Sequence, residues 1–132
     1  MDMTINFLEG KKVSVDYRGH TIHTDQHETA GGDGSAPAPF DLLLASIGAC
    51  AGFYVQVFCR KRNISLENVR MVLRNEKDPA SGLVGRVTIE VTVDRDFPEK
   101  YLTTLKSVID QCTVKKQLLN PPEFEILING PP

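Results

Sequence analysis

The chain has 132 residues, 41% of them hydrophobic and 24% charged, with a formal net charge of −2 and a pI near 5.9. These proportions exclude a disordered or fibrous chain, and the length suits a single domain, residues 1–132, with one substantial core. The slightly acidic balance argues against nucleic acid or an anionic membrane surface as a partner, because both require clustered Lys and Arg.

The N-terminal MDMTINFLEG has no basic region leading into an apolar stretch, so no secretory signal is expected. A cytoplasmic setting is the default expectation, and thiols there are kept reduced. Thr4 to Phe7 and Lys12 to Tyr17 read as strands, the second alternating Val13, Val15 and Tyr17 with Ser14 and Asp16. Arg18-Gly19 signals a turn, and His20 to Asp25 can return as the other arm of a hairpin. His20, His23 and His27 lie near Asp25, but positions 20 and 23 face opposite sides of a strand, so a solvated polar edge is expected rather than a metal site. HETAGGDGSAPAP then has no periodicity and reads as a loop.

The loop delivers the chain to its most distinctive stretch, PFDLLLASIGACAGFYVQVFCRKR, from Pro39 to Arg62. Pro39 suits a first-turn position, and Asp41 places a negative charge in that turn. From Leu42 to Cys59 there are eighteen consecutive uncharged residues. Gly48 and Gly52 form a GxxxG and a basic cluster follows, so a membrane span must be weighed. Against it stand Ser46, Gln56, the lack of aromatic belts at both ends, and flanking strands that need a helix to pack on. A helix this apolar must be covered on nearly every side in water. Small residues around Cys50 (Ala45, Ser46, Gly48, Ala49, Ala51 and Gly52) let other elements come close. Arg60, Lys61 and Arg62 complement the dipole at the helix end, which is expected near Asn63.

Val69, Met71 and Leu73 alternate with Arg70, Val72 and Arg74, and Val87, Ile89, Val91 and Val93 alternate with Arg86, Thr88, Glu90 and Thr92. With the turn-forming Asp78 to Gly82 between them, these make a second hairpin. Asp96 is expected to cap a helix with Pro98 and Glu99 in its first turn and a stripe of Tyr101, Leu102, Leu105, Val108 and Ile109. Cys112 falls just past it, a short helix follows over Thr113 to Leu119, and Asn120-Pro121-Pro122 stops it. Glu123 to Ile128, with Phe124, Ile126 and Ile128 on one face, reads as a last strand. Strands and helices thus occur in blocks, which predicts an α+β fold with helices on a mainly antiparallel sheet. One sheet face covers only one side of the central helix, so a second copy of the chain is expected to cover the rest.

Cys50 and Cys59 lie on opposite faces of one helix and roughly 13 Å apart along its axis, beyond the about 7 Å Cα limit for a disulfide. Cys112 sits at a break between helical runs, where backbone N–H groups and Lys115 and Lys116 can stabilise a thiolate. The geometry nominates Cys50 with Cys112 and leaves Cys59 as a packing residue.

GSAPAPFDLLLASIGAC resembles the signature of the OsmC/Ohr family, a Gly- and Pro-rich loop leading into a helix that carries a cysteine. Cys112-Thr113-Val114 with Leu118 and Leu119 resembles that family's second cysteine motif, and the hairpin and terminal strand occupy the expected places. The resemblance implies an OsmC-like α+β fold, an intertwined homodimer with buried central helices, and a thiol-dependent peroxidase site. It implies Cys50 as the catalytic peroxidatic residue and Cys112 as the resolving one. It also implies a small-molecule peroxide substrate, organic hydroperoxides in the Ohr type, and an external dithiol reductant, lipoylated or small. No metal, flavin or haem cofactor is implied. Peroxidases of this family place an Arg from an early strand and a Glu from the helix start near the cysteine. Here Lys11, Lys12 and Arg18 occupy the early strand region, and Asp41 beside Phe40 the helix start, a pattern closer to the OsmC-like branch than to Ohr. The alternatives are a non-catalytic redox-sensing dimer and a pocket for a small hydrophobic ligand.

Overall fold

The computed structural model describes residues 1–67 and 69–131. They divide into two compact units, with the boundary between Ser46 and Ile47.

In the first unit, β1 (Thr4–Phe7), β2 (Val13–Tyr17) and β3 (His20–Thr24) form an antiparallel sheet in the order β1-β2-β3. Its register sets Ile5, Val15 and Ile22 in one cross-strand row. The β2-β3 connection is two residues long, and Arg18 (φ 47°) and Gly19 (φ 78°) both have positive φ. A turn of that kind matches the right-handed twist of the flanking strands. The loop after β3 is ordered by Asp25, only 1% exposed. Its carboxylate accepts from the backbone N–H groups of Gln26 (2.7 Å), Asp33 (3.2 Å) and Ser35 (3.0 Å) and from the Ser35 hydroxyl (2.7 Å). Those bonds, the Ser35 hydroxyl's first among them, hold its pKa down at about 2 despite burial. Lys11 donates to the Ala30 carbonyl at 2.6 Å and Lys12 pairs with Asp33 at 2.8 Å, so the loop is also fastened to the sheet. Gly32 allows the tight path, since a Cβ there would stand 2.0 Å from the Gln26 carbonyl oxygen.

Helix α1 spans Pro39–Lys61 and is long and apolar enough, by length and composition, to cross a membrane. Asp41 reaches back to accept from the Ala38 N–H at 3.3 Å, the carboxylate half of a capping box. At the other end Asn63 (φ 54°) reverses the chain. Ile64 N–H bonds the Cys59 carbonyl and Asn63 N–H the Arg60 carbonyl, which completes a Schellman motif. Arg62 stacks 3.8 Å from the centre of the Phe58 ring while donating to the Phe58 carbonyl.

In the second unit, Ile47, Ala51, Val55, Phe58 and Cys59 form the buried stripe of α1. Strands β4 (Arg70–Lys77) and β5 (Val84–Thr92) form an antiparallel hairpin. Gly48 faces Leu73 and Gly52 faces Met71, at 3.7 and 4.0 Å from where a Cβ would be. One helical turn on α1 thus matches two residues on β4, so the GxxxG receives a strand. A 3₁₀ turn, Glu99–Tyr101, leads into α2 (Leu102–Ile109), and α3 (Thr113–Leu119) follows. Phe97 and Leu105 complete a core with Val55, Phe58 and Cys59.

The α+β expectation is met, with antiparallel sheets. Two local expectations are not. Asp96 does not cap the helix: Pro98 is the residue before the 3₁₀ turn, with no side-chain cap, and the Asp96 N–H instead bonds the Asp94 carboxylate. Residues 123–128 form no strand, and Phe124 and Ile128 are 88% and 92% exposed. Alternation makes a segment competent to pair, but a strand also needs a neighbour to complete its backbone ladder.

Candidate functional site

Two elements of the second unit bring Cys50 and Cys112 together. Cys50 lies midway along α1 and is half-buried; Cys112 immediately precedes α3 and is buried. The Cys112 sulfur accepts from the Lys115 N–H at 3.5 Å, as an N-cap side chain does. Its own proton has two acceptors in reach, the Ile47 carbonyl at 4.0 Å and the Cys50 sulfur.

The two thiols are shifted in opposite directions. Burial pushes Cys50 up, but the Val114 N–H, the Cys112 thiol and the Thr113 N–H all donate to it, and together they bring it below the ordinary thiol value. For Cys112 burial dominates; the Lys115 N–H opposes it, while the donated hydrogen bond and the charge on Cys50 push further up. The pair is therefore one thiolate-prone sulfur with a protonated thiol beside it. Cys59 is also pushed up by burial, which the Arg62 charge only partly offsets, and it lies in the hydrophobic core. Such a thiol is inert.

Beside Cys112 lies an apolar groove of about 630 Å³, whose lining does not include Cys50. Val87, Ile89 and Val91 of β5, Leu105 and Ile109 of α2 and Leu118 of α3 line it, Cys112 forms part of its wall, and Lys106 and Lys115 stand among the lining residues. Lys115 is ion-paired with Asp110, whose carboxylate that bond holds below its ordinary pKa.

In the first unit the candidate activators are already engaged. Besides the Lys11 and Lys12 contacts described above, the Arg18 guanidinium lies 5.2 Å from the Tyr17 ring centre. Asp41 caps α1 and pairs with His27 Nε2 at 3.0 Å, while His20 and His23 are exposed on β3. Among the described residues no group of three or more His, Cys, Asp or Glu could hold a metal. Sequence reasoning missed two features. Asp25, read as part of a solvated edge, is buried, and the signal was an acidic residue followed within ten positions by glycines and Ser35. Tyr54 Oη, 3.4 Å from Thr113 Oγ1, gave no signal, because its partner lies 59 residues away.

Residues 32–127 match the family model described as OsmC-like protein. The chain belongs to this family. OsmC-like folds in solved structures agree over nearly the whole chain. An osmotic stress induced and detoxification response protein from Psychrobacter arcticus 273-4 is 20% identical, with 87% of this chain and 85% of that one covered and a TM-score of 0.73. An OsmC-like protein from Mycoplasma pneumoniae is 13% identical, covering 89% and 86%, with a TM-score of 0.70. An organic hydroperoxide resistance protein OsmC from Legionella pneumophila is 17% identical, covering 89% of each chain, with a TM-score of 0.54. These likenesses show the OsmC-like fold. No curated protein sequence matches the chain significantly.

Proposed function

We propose that residues 1–132 act as one OsmC-like domain, a thiol-dependent hydroperoxide reductase of oxidative-stress defence in the cytoplasm, working as a homodimer with Cys50 as peroxidatic and Cys112 as resolving thiol. The observation that carries this reading is the opposite displacement of two hydrogen-bonded thiols, Cys50 downward and Cys112 upward. The Legionella relative's description as an organic hydroperoxide resistance protein supports the substrate class. The groove beside Cys112 supports an organic rather than a purely polar peroxide.

In the first step the Cys50 thiolate attacks one peroxide oxygen. The O–O bond breaks, the leaving alkoxide takes a proton to become an alcohol, and Cys50 is left as a sulfenic acid. Cys112 then gives up its proton and its sulfur attacks Cys50; the S–O bond breaks, water leaves and a disulfide forms. An external dithiol, lipoylated or small, returns both thiols by exchange and is itself oxidised to a disulfide. Half-burial suits Cys50 to meet a substrate, and full burial protects Cys112 until its neighbour is oxidised.

The test is a thiol count with disulfide mapping, before and after one equivalent of an alkyl hydroperoxide. The expected result is loss of two thiols, a Cys50–Cys112 bond and a free Cys59, with Cys50→Ser abolishing peroxide consumption. Persistence of all three thiols would sink the reading. A second reading, a slow redox-sensing dimer, draws on one observation: Lys11, Lys12, Arg18 and Asp41 are each engaged elsewhere. Rapid sustained turnover with a dithiol excludes it.

A further inference from the structure

Tyr54 follows Cys50 by one helical turn, so the two side chains share a face of α1. Its hydroxyl meets the Thr113 hydroxyl at 3.4 Å, and the Phe53 ring stands edge-on to its ring with centroids 5.5 Å apart. Thr113 is the first residue of α3 and directly follows Cys112. Its N–H and that of Val114 help to hold the Cys50 thiol below its ordinary pKa. The Tyr54–Thr113 contact is therefore a cross-brace between the helix that carries one thiol and the helix that begins at the other. The reaction itself assigns Tyr54 no part, since neither thiol's hydrogen bonds involve it.

We propose that Tyr54 is a positioning residue: through the Thr113 hydroxyl it pins the first turn of α3 to α1 and so keeps Cys112, the residue before Thr113, beside Cys50. The inference rests on the reading of Cys50 as the reactive thiol. Hydrogen bonds weaken steeply with misalignment, so a small drift of the α3 start costs the thiolate its donors before it costs the protein its fold. The titratable group facing Cys50 across this junction is Cys112; Lys115, next along α3, is tied to Asp110.

The experiment measures the pH profile of iodoacetamide alkylation of Cys50, with the modified peptide identified by mass spectrometry, for the wild type, Tyr54→Phe, Thr113→Val, Thr113→Ser and the double variant Tyr54→Phe/Thr113→Val. Tyr54→Phe and Thr113→Val are each expected to move the midpoint upward by about half to one pH unit, roughly a threefold to tenfold loss of thiolate near neutral pH. The double variant is expected to move no further, and Thr113→Ser, which keeps a hydroxyl, to stay near the wild type. A Tyr54→Phe profile superimposed on the wild type overturns the proposal; so does an additive double variant, or a Thr113→Ser shift as large as that of Thr113→Val. Alkylation needs no peroxide, so this result is separate from that of the reductase reading: Cys50→Ser with undiminished peroxide consumption defeats the latter and leaves the alkylation profiles to decide the role of Tyr54.

Discussion

At the scale of single residues, the two site cysteines differ in what surrounds the sulfur. The Cys50 thiol is held below its ordinary pKa and the Cys112 thiol above it, and the proposed reductase sequence uses that difference to make Cys50 react first. Replacing Cys112 by Ser should therefore stall the sequence after its first step. One equivalent of alkyl hydroperoxide should then leave a sulfenic acid on Cys50, trapped by a dimedone adduct on that peptide, with no disulfide formed. Asp25 gives a prediction of a different kind. Its carboxyl is held at about 2, below the ordinary 3.8, by the Ser35 hydroxyl and three backbone N–H groups. A depressed acid stabilises the folded state above its unfolded pKa, and that contribution fades as pH falls from 3.8 toward about 2. Calorimetry from neutral pH down through that window should show a lower Tm for Asp25→Asn than for the wild type at its neutral end. The gap should narrow on acidification; a constant gap would mean that Asp25 does not titrate in this way.

At the scale of elements, the loop before α1 and the exit from α1 each depend on one backbone position. A Cβ on residue 32 would meet the Gln26 carbonyl carbon at 2.5 Å as well as its oxygen, and neither backbone atom can rotate away. Gly32→Ala should cost about 1–3 kcal/mol in urea unfolding, the usual penalty of forcing atoms into a filled space. Gly130→Ala, with nothing within 4 Å of the new methyl group, should stay within about 0.5 kcal/mol. Equal effects of the two substitutions would refute the close approach. The α1 exit was legible from its composition: the charged Arg60 to Arg62 run and Asn63 mark a helix end, and Asn is among the few residues that adopt a left-handed C′ conformation readily. The expected cap at Asp96 failed because a short 3₁₀ turn begins only at Glu99, too far on for that side chain to close.

At the scale of the whole molecule, each of the two units leaves apolar side chains exposed. Phe40, Leu43 and Phe53 on α1 are exposed, as are Ile5 and Phe7 on β1 and Phe124, Ile126 and Ile128 in the C-terminal segment. The proposed homodimer would give such side chains a cover. Gel filtration is expected to place the protein at twice its 14.6 kDa chain mass, with a Tm that rises with protein concentration. Elution as a monomer with a concentration-independent Tm would remove that cover and with it the dimer proposal.

The sequence by itself determined the α+β class, the hairpins and the extent of the central helix, and it ruled out a disulfide between Cys50 and Cys59. All of these follow from local periodicity, turn chemistry or the reach of a disulfide, which act over a few residues or are bounded by helix geometry. Tertiary structure decided what depends on neighbours distant in the chain. It drew Asp25 into the interior, set Tyr54 against Thr113, and brought the Thr113 and Val114 N–H groups to Cys50. It also left the alternating segment from Glu123 to Ile128 without a ladder partner. Alternation is written in the segment itself, whereas hydrogen bonds and burial belong to pairs of segments, and only the fold brings those pairs together.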